Sequence, residues 1–317
     1  MNTFGERFRL SIFGESHGAA VGVVLDGLPP GFAPDMEAVR EQMRRRRPGQ
    51  GEHTTARQEA DEPEILSGLF EGKTTGAPLC CILRNADTRS GDYAPHLPRP
   101  GHADLASFAK YKGFADYRGG GHFSGRLTAP LVFAGALARQ LLPGVSVTAG
   151  IREIGGHPAG DGCRTDVILA AKQDGDSVGG VIACKVEGLP AGLGEPFFGS
   201  VESRLAALLF SIPAVKAAEF DDGIRLAGLR GSESNRYPFG VLGGITSGKT
   251  LSFSVWVKPT PSVALEQDTV DLRTGLPAKL TVKGRHDPCI VPRAVPVVEA
   301  VAAVGLLDLW LIAGFPL

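Results

Sequence analysis

The stretch Phe8–Gly27, FRLSIFGESHGAAVGVVLDG, admits two readings that lead to different folds. Gly14-Glu15-Ser16-His17-Gly18 fits G-x-S-x-G, the nucleophile turn of hydrolases, which joins a strand to a helix in a parallel sheet. The flanks argue otherwise. FRLSIF alternates apolar and polar residues, and AVGVVLDG is rich in β-branched residues, so both flanks read as strands. Strand, turn, strand is an antiparallel hairpin. Its tip carries a carboxylate, a hydroxyl and an imidazole between two glycines, and on residue chemistry alone it is a nucleophile, a proton relay or a polar tie. His17 has little apolar sequence around it, which favours a site histidine over a core one.

Working outward, APDMEAVREQMRRRR is a helix with Asp35 as N-cap, stopped by Pro48-Gly49. EILSGLFEGKTTGAPLCCILRN reads as two short strands around a Gly-Thr turn, and Ala86–His102 as one long polar loop. ADLASFAKYKGF is a short helix, and RLTAPLVFAGALARQLL an apolar one. VSVTAGIREIGG and GGVIACKVEGLP are strands around the helix RTDVILAAKQ; VESRLAALLFSI is a helix, TLSFSVWVKP a half-buried strand, and the tail from Pro292 is helical. Strands and helices do not alternate in a βαβ rhythm, and no repeat or linker divides the chain. The expectation is an α+β protein with one domain over residues 1–317, a β-α-β sandwich of antiparallel sheets packed around a helical core.

The 317 residues are 43% hydrophobic and 21% charged, as in a soluble globular protein. A net charge of −1 supplies no overall field to recruit nucleic acid or an anionic membrane, so neither is expected as a partner. The cysteines (Cys80, Cys81, Cys163, Cys184, Cys289) show no C-x-x-C and no ligand-like spacing to histidine, which suits buried thiols in a reducing cytoplasm. Met1–Arg9 has no apolar signal-like core. In the apolar C-terminus, Arg293, Glu299 and Asp308 leave runs short for a bilayer. A core or interface helix in a cytoplasmic protein is the expectation there.

Chemistry concentrates in six stretches: FGESHG (13–18), RRRRPGQG (44–51), RPGHAD (99–104), DYRGGGHFSGR (116–126), VKPTPS (257–262) and KGRHDPCIVPRA (283–294). Consecutive arginines on a helix point in different directions. Arg44–Arg47 therefore fit a solvated face equally with an anion site in which one or two of them grip a carboxylate or phosphate. Three adjacent glycines let backbone N–H groups approach a ligand closely, but they lack the strand and spacing of a dinucleotide fingerprint. No histidine spacing indicates a metal. Together the stretches point to a site for a polyanionic small molecule, with histidines and an aspartate available for proton transfer. Residue patterns alone stop there.

In this order, the stretches resemble the chorismate synthase family: FGESHG at Phe13–Gly18, the arginine run with PGQ at Arg45–Gln50, RPGHAD at Arg99–Asp104, the glycine-rich turn at Asp116–Arg126, GGITSG at Gly243–Gly248, KPTPS at Lys258–Ser262 and RHDPC at Arg285–Cys289. The resemblance implies a trans-1,4 elimination of phosphate from 5-enolpyruvylshikimate 3-phosphate, giving chorismate. Reduced FMN is required without net redox change, and some members reduce it with NADPH. It also implies a homotetramer. As catalytic groups it implies His17, His102, Asp287, Ser16 and Ser124, and as substrate-binding groups Arg46, Arg47, Arg126 and Arg285. The implied flavin-binding positions are His122, Phe123, Ser124, Gly243, Lys258, Pro259, Thr260, Pro261, Ser262 and Arg285. The chain departs from the family at Glu52, where arginine is usual, at His122-Phe123, where Arg-Ser is usual, and at Leu127, where glutamate is usual.

Overall fold

The computed structural model describes residues 2–49, 59–87, 91, 93–160, 164–282 and 286–317. The opening stretch forms a hairpin. After a short β1 (Thr3–Phe4), β2 (Arg9–Gly14) and β3 (Ala20–Asp26) pair antiparallel from Arg9↔Asp26 to Gly14↔Val21. Helix α1 (Met36–Arg46) follows, N-capped by the Asp35 carboxylate, which accepts from the N–H groups of Glu37 and Ala38. The next stretch carries four strands where two were expected: β4 (Glu64–Ser67), the tiny β5 (Leu69–Phe70) and β6 (Lys73–Thr74), and β7 (Leu79–Arg84). The turn at Glu71-Gly72 closes β5 on β6, so the excursion folds on itself before the chain re-enters the sheet. The first sheet has the order β1-β2-β3-β7-β4, with antiparallel neighbours throughout.

The second sheet is also antiparallel. It is built from β8 (Ser146–Ile154), β9 (His157–Pro158), β10 (Gly180–Glu187), β11 (Val215–Phe220) and β14 (Leu251–Val257), in the order β11-β14-β10-β8-β9. Two small hairpins lie outside it, β12 (Val241–Leu242) with β13 (Ile245–Thr246) and β15 (Glu266–Val270) with β16 (Pro277–Thr281). The remaining helices are α2 (Asp104–Lys110), α3 (Thr128–Gln140), α4 (Thr165–Gln173), α5 (Val201–Leu209), the single turns α6 (Gly223–Leu226) and α7 (Gly231–Ser234), and α8 (Val291–Ile312).

Period-two burial orients both sheets. Val21, Val23 and Leu25 on β3 and Leu79, Cys81 and Leu83 on β7 are buried, as are Ile182, Cys184 and Val186 on β10 and Leu251, Phe253, Val255 and Val257 on β14. Between the sheets lies a helical layer. α3 packs on the first sheet, α8 on the second, and the two helices pack on each other. They approach closely because Gly135 has no side chain: a Cβ there would sit 2.3 Å from the Ala300 Cα. The architecture is the expected α+β arrangement of antiparallel sheets around helices. Burial pushes the Cys81 thiol up to about 12, which leaves it a thiol rather than a nucleophile.

α8 meets the expectation of a core helix but corrects that of runs short for a bilayer. It is long and apolar enough to cross a membrane, with a mean hydropathy of 2.0 over its best window despite the interrupting charges. However, 89% of that window is buried inside the protein, the position of a helix apolar on all sides. Its two acids are satisfied internally. Glu299 accepts from Arg45, Arg139 and the Ala149 N–H. Asp308 accepts from the N–H groups of Glu6, Arg7 and Phe8 at 3.0, 2.8 and 2.9 Å and from Arg204 at 2.5 Å. Asp308 thereby pins the segment between β1 and β2 to the core helix. Asp308→Ala should leave those three backbone donors unpaired and strip Arg204 of its buried partner, leaving it only the exposed Glu6, with an expected loss of about 3–5 kcal/mol in urea unfolding; a loss below about 1 kcal/mol would contradict this account.

Candidate active site

One face of the helical layer is open. A cavity of about 870 Å³ lies between the β2–β3 turn, the C-terminal end of α1, the glycine-rich turn, the Lys258–Ser262 segment and the start of α8. Among its lining residues are His17, Arg46, His102, His122, Phe123, Ser124, Arg126, Lys258, Thr260, Pro261, Ser262 and Asp287, which the sequence had placed at a site. Ser16, Arg47, Gly243 and Pro259 do not line it. Ser16 is fully buried behind His17, and its N–H donates to the Gly121 carbonyl. Gly243 turns the β12–β13 hairpin, which packs on residues 193–201 through Val201 N–H to Gly244 and Thr246 N–H to Leu193, away from this cavity. Pro259 contributes only its carbonyl, to the Lys258 ammonium at 3.3 Å. Arg285 and Glu52 lie outside the described residues.

The arginine run is partitioned by helical geometry, each residue advancing about 100° around the axis. Arg44 stays outside with Glu37 and Glu41, and Arg45 turns into the helical layer to Glu299. Arg46 points into the site. Its guanidinium donates to Asp61 Oδ2 at 2.8 Å, to Thr128 Oγ1 at 3.1 Å and to the Gly125 carbonyl at 3.1 Å. Arg126 grips the other Asp61 oxygen and donates to Asn85 Oδ1 at 2.8 Å and to the Arg84 carbonyl at 3.1 Å. Two buried cations thus share one buried anion, and the cluster keeps a net positive charge facing the cavity. Burial pushes Arg46 down to about 9, with Arg293 and Arg126 adding to the fall, yet it stays protonated near neutral pH. Burial alone would raise Asp61, but the two guanidiniums outweigh it and hold the carboxyl below its ordinary value.

The glycine-rich turn brings the histidines together. Gly119, Gly120 and Gly121 have φ of +60°, +81° and +52°, a run that side-chain-bearing residues rarely adopt. A Cβ at Gly119 would fall 2.5 Å from the His17 ring, and one at Gly120 2.8 Å from His102 Cε1. Consecutive glycines therefore seat the two imidazoles. Tyr93 meets the His17 ring edge-on at 5.4 Å and carries the Arg99 guanidinium 5.2 Å from its own centre. Asn85 ties the β2–β3 turn by donating to the carbonyls of Glu15 and Gly18 at 3.0 and 2.8 Å.

The departures from the family pattern have distinct local settings. His122 places Nδ1 2.8 Å from the Gly14 carbonyl and Nε2 3.2 Å from Asn2 Oδ1, so it ties the glycine turn to the N-terminal segment. Phe123 lies 6.2 Å from Tyr111 as a tilted ring pair, and Leu127 is buried in the core. Ser124 Oγ accepts the Arg126 N–H at 3.3 Å, so its visible work is to cap the turn that aims Arg126.

Several functional groups escaped the reading of the sequence. Asp61 sits in a stretch without glycine or histidine, and nothing there signals a partner. Arg99 and Asp104 are inside RPGHAD, and Arg293 is inside KGRHDPCIVPRA, but their roles depend on the fold. Arg293 pairs with Asp287 and donates to the Arg46 carbonyl at 3.2 Å. Lys258 lines the cavity with its pKa lowered by burial and by Lys216.

Such a site defines an enzyme that binds a polyanion and moves protons at it. Residues 8–311 match the family model for chorismate synthase, and the chain belongs to the chorismate synthase family. It is 49% identical to the chorismate synthase of Chitinophaga pinensis, over 98% of this chain and 97% of that one. It is 44% identical to that of Dehalococcoides mccartyi, over 99% and 97%. A crystal structure of chorismate synthase has the same fold, with a TM-score of 0.72 over 98% of this chain and 93% of that chain at 24% identity.

Asp61→Asn should strand two buried guanidiniums and cost about 3–5 kcal/mol in urea unfolding at neutral pH. Because the folded Asp61 titrates below the unfolded carboxyl, its contribution is complete above about pH 4 and is lost as pH falls through the lowered folded value. The stability difference between wild type and variant should therefore shrink in acid, and a constant difference down to pH 2 would refute it. Gly120→Ala would displace the His102 ring, and turnover should fall about 100-fold with the fold intact by circular dichroism. Wild-type turnover would show that the ring is not seated by Gly120.

Proposed function

We propose that the chain catalyses the chorismate synthase reaction in this cavity: loss of phosphate and a C6 proton from 5-enolpyruvylshikimate 3-phosphate in a trans-1,4 sense, giving chorismate. One observation carries the reading. Two imidazoles, seated on adjacent glycines, line the same cavity as two arginines clamped by one carboxylate. The substrate carries two carboxylates and a phosphate. Arg46 and Arg126 meet that charge from the floor, where exclusion of water strengthens each contact. The family pattern assigns Arg47 and Arg285 to the same set, although Arg47 does not line the cavity and Arg285 lies outside the described residues.

His17 stands at the turn facing the leaving phosphate and donates a proton as charge grows there, with Ser16 behind it as a hydrogen-bonding neighbour. His102 holds a proton at the opposite side of the glycine turn. Asp287, anchored by Arg293, is the carboxylate that takes part in moving the proton lost from the substrate, and Ser124 holds Arg126 in aim.

The chorismate synthase family uses reduced FMN, and the residues present fit that group. The Thr260 hydroxyl is buried in the cavity wall with no hydrogen-bond partner, as a ligand-directed group would be. Leu131, Leu208, Ile212 and Val297 supply an apolar wall suited to a flat ring. Lys258, Thr260, Pro261 and Ser262 would hold the cofactor, with His122, Phe123 and Ser124 on the facing side; Pro259 shapes that segment, and Gly243 would reach it only through another subunit. Reduced FMN supplies an electron-rich ring that lends electron density to the allylic phosphate and regains it, which ordinary side chains cannot do. The family pattern leads us to infer a cytoplasmic homotetramer; Phe197 and Phe198, 85% and 95% exposed, offer apolar surface for a subunit contact.

Under anaerobic conditions with chemically reduced FMN, the purified protein should release phosphate and form chorismate. His17→Ala should lower that rate roughly 100- to 10,000-fold while leaving the urea midpoint in place. Absence of phosphate release from the wild type would overturn the reaction, and a wild-type rate in the variant would overturn the role of His17.

A further inference from the structure

His102 stands in a polar frame that the reaction as outlined does not use. Its Nδ1 lies 2.6 Å from Asp104 Oδ1. A ring nitrogen and a carboxylate oxygen are both acceptors unless a proton lies between them, so Nδ1–H is assigned as the donor to Asp104; the Arg99 Nη2 group also lies beside the ring, 3.1 Å from Nδ1 and 3.4 Å from Nε2. The carboxylate is itself fixed. Oδ2 accepts from the Arg99 backbone N–H at 3.1 Å and Nε at 2.8 Å, and Oδ1 from Arg99 Nη2 at 2.9 Å. Arg99 in turn donates to Ser262 Oγ at 3.3 Å and stacks on Tyr93.

We propose that Asp104, clamped by Arg99, is the positioning residue for His102: it fixes the imidazole as the Nδ1–H tautomer and leaves Nε2 as the nitrogen that works in the cavity. This rests on the reading that His102 exchanges a proton with the bound ligands. The Nε2 edge lies against Gly120, where a Cβ would come within 3.0 Å, so only glycine leaves that edge its room. Burial opposes ionisation of Asp104, but hydrogen bonds from His102 and Arg99 outweigh it and hold the carboxyl well below the usual range. It therefore remains an acceptor and does not compete for the proton. Asp104 does not line the catalytic cavity. It lines a second one of about 790 Å³ behind the glycine turn, together with Ser107, Asp116 and Tyr117. Removing its charge should thus disturb His102 without removing a ligand contact. The same logic operates wherever a carboxylate fixes the tautomer of a working imidazole.

The test is Asp104→Asn in the full-length protein, read by nitrogen NMR of labelled histidine at alkaline pH, with His102→Gln assigning the resonances. Wild type should show His102 protonated on Nδ1. The variant, whose amide can present either its oxygen or its NH₂, should show a mixture or the Nε2–H form. In the anaerobic assay kcat should fall about 10- to 100-fold, with KM and the affinity for reduced FMN within about 2-fold of wild type. Asp104→Glu should recover part of the loss. An unchanged tautomer and kcat in Asp104→Asn would overturn the proposal, as would a rise in KM that accounts for the whole effect. Should Asp104→Asn fail to fold, the wild-type spectrum still decides, since a His102 proton on Nε2 refutes the assignment. If the wild type lacks lyase activity, the reading of the reaction fails, while the spectra still answer the question of tautomer.

Discussion

The site depends on a buried carboxylate, Asp61, held between two buried guanidiniums. Two like charges in a half-dry cavity repel by about 4 kcal/mol at 4 Å with an effective dielectric constant of 20. One shared anion offsets that repulsion and holds both forks in a defined geometry. It also leaves one positive charge over, and that excess is what an anionic ligand meets. Without Asp61 the two arginines would lose the anchor they share. Helix α1, the Arg84–Asn85 end of β7 and the turn before α3 all converge on this cluster.

The core and the site are coupled by the same device. Glu299 and Asp308 place charge inside a helix that is otherwise apolar, and each is satisfied by groups from other elements. Glu299 draws Arg45 inward, which orients α1 so that its neighbour Arg46 faces the cavity. Asp308 draws the chain before β2 down onto α8, which sets Asn2, Thr3 and Phe4 as one wall of the same cavity. Hydrophobic burial brings these layers together without direction. The buried acids give the packing its register.

The glycine-rich turn reconciles a family pattern with the departures of this chain. His122 occupies the position of a usual arginine, yet both its ring nitrogens contact the N-terminal segment, at Gly14 and Asn2. The turn therefore stays anchored while losing a fixed cation. The three glycines at positive φ retain the geometry that seats His17 and His102, because that seating needs missing side chains rather than a particular neighbour.

Much was legible from local order. Alternation around FGESHG specified an antiparallel hairpin, Asp35 specified the start of α1, and a largely apolar composition marked α3 as an apolar helix and α8 as a core or interface helix, because each follows from short-range pattern and capping. The site histidines were legible for the same reason: glycine and imidazole are adjacent in the chain. The partners of those groups were not. Which arginine of Arg44–Arg47 faces the cavity depends on the rotation of α1, and that rotation is set by Glu299, more than two hundred residues away. Asp61 and Asp104 acquire their meaning only from side chains that the fold delivers to them. Local chemistry along the chain determines which residues can bind anions and carry protons, whereas only the tertiary structure decides which are paired, because pairing is a matter of distance in space and burial.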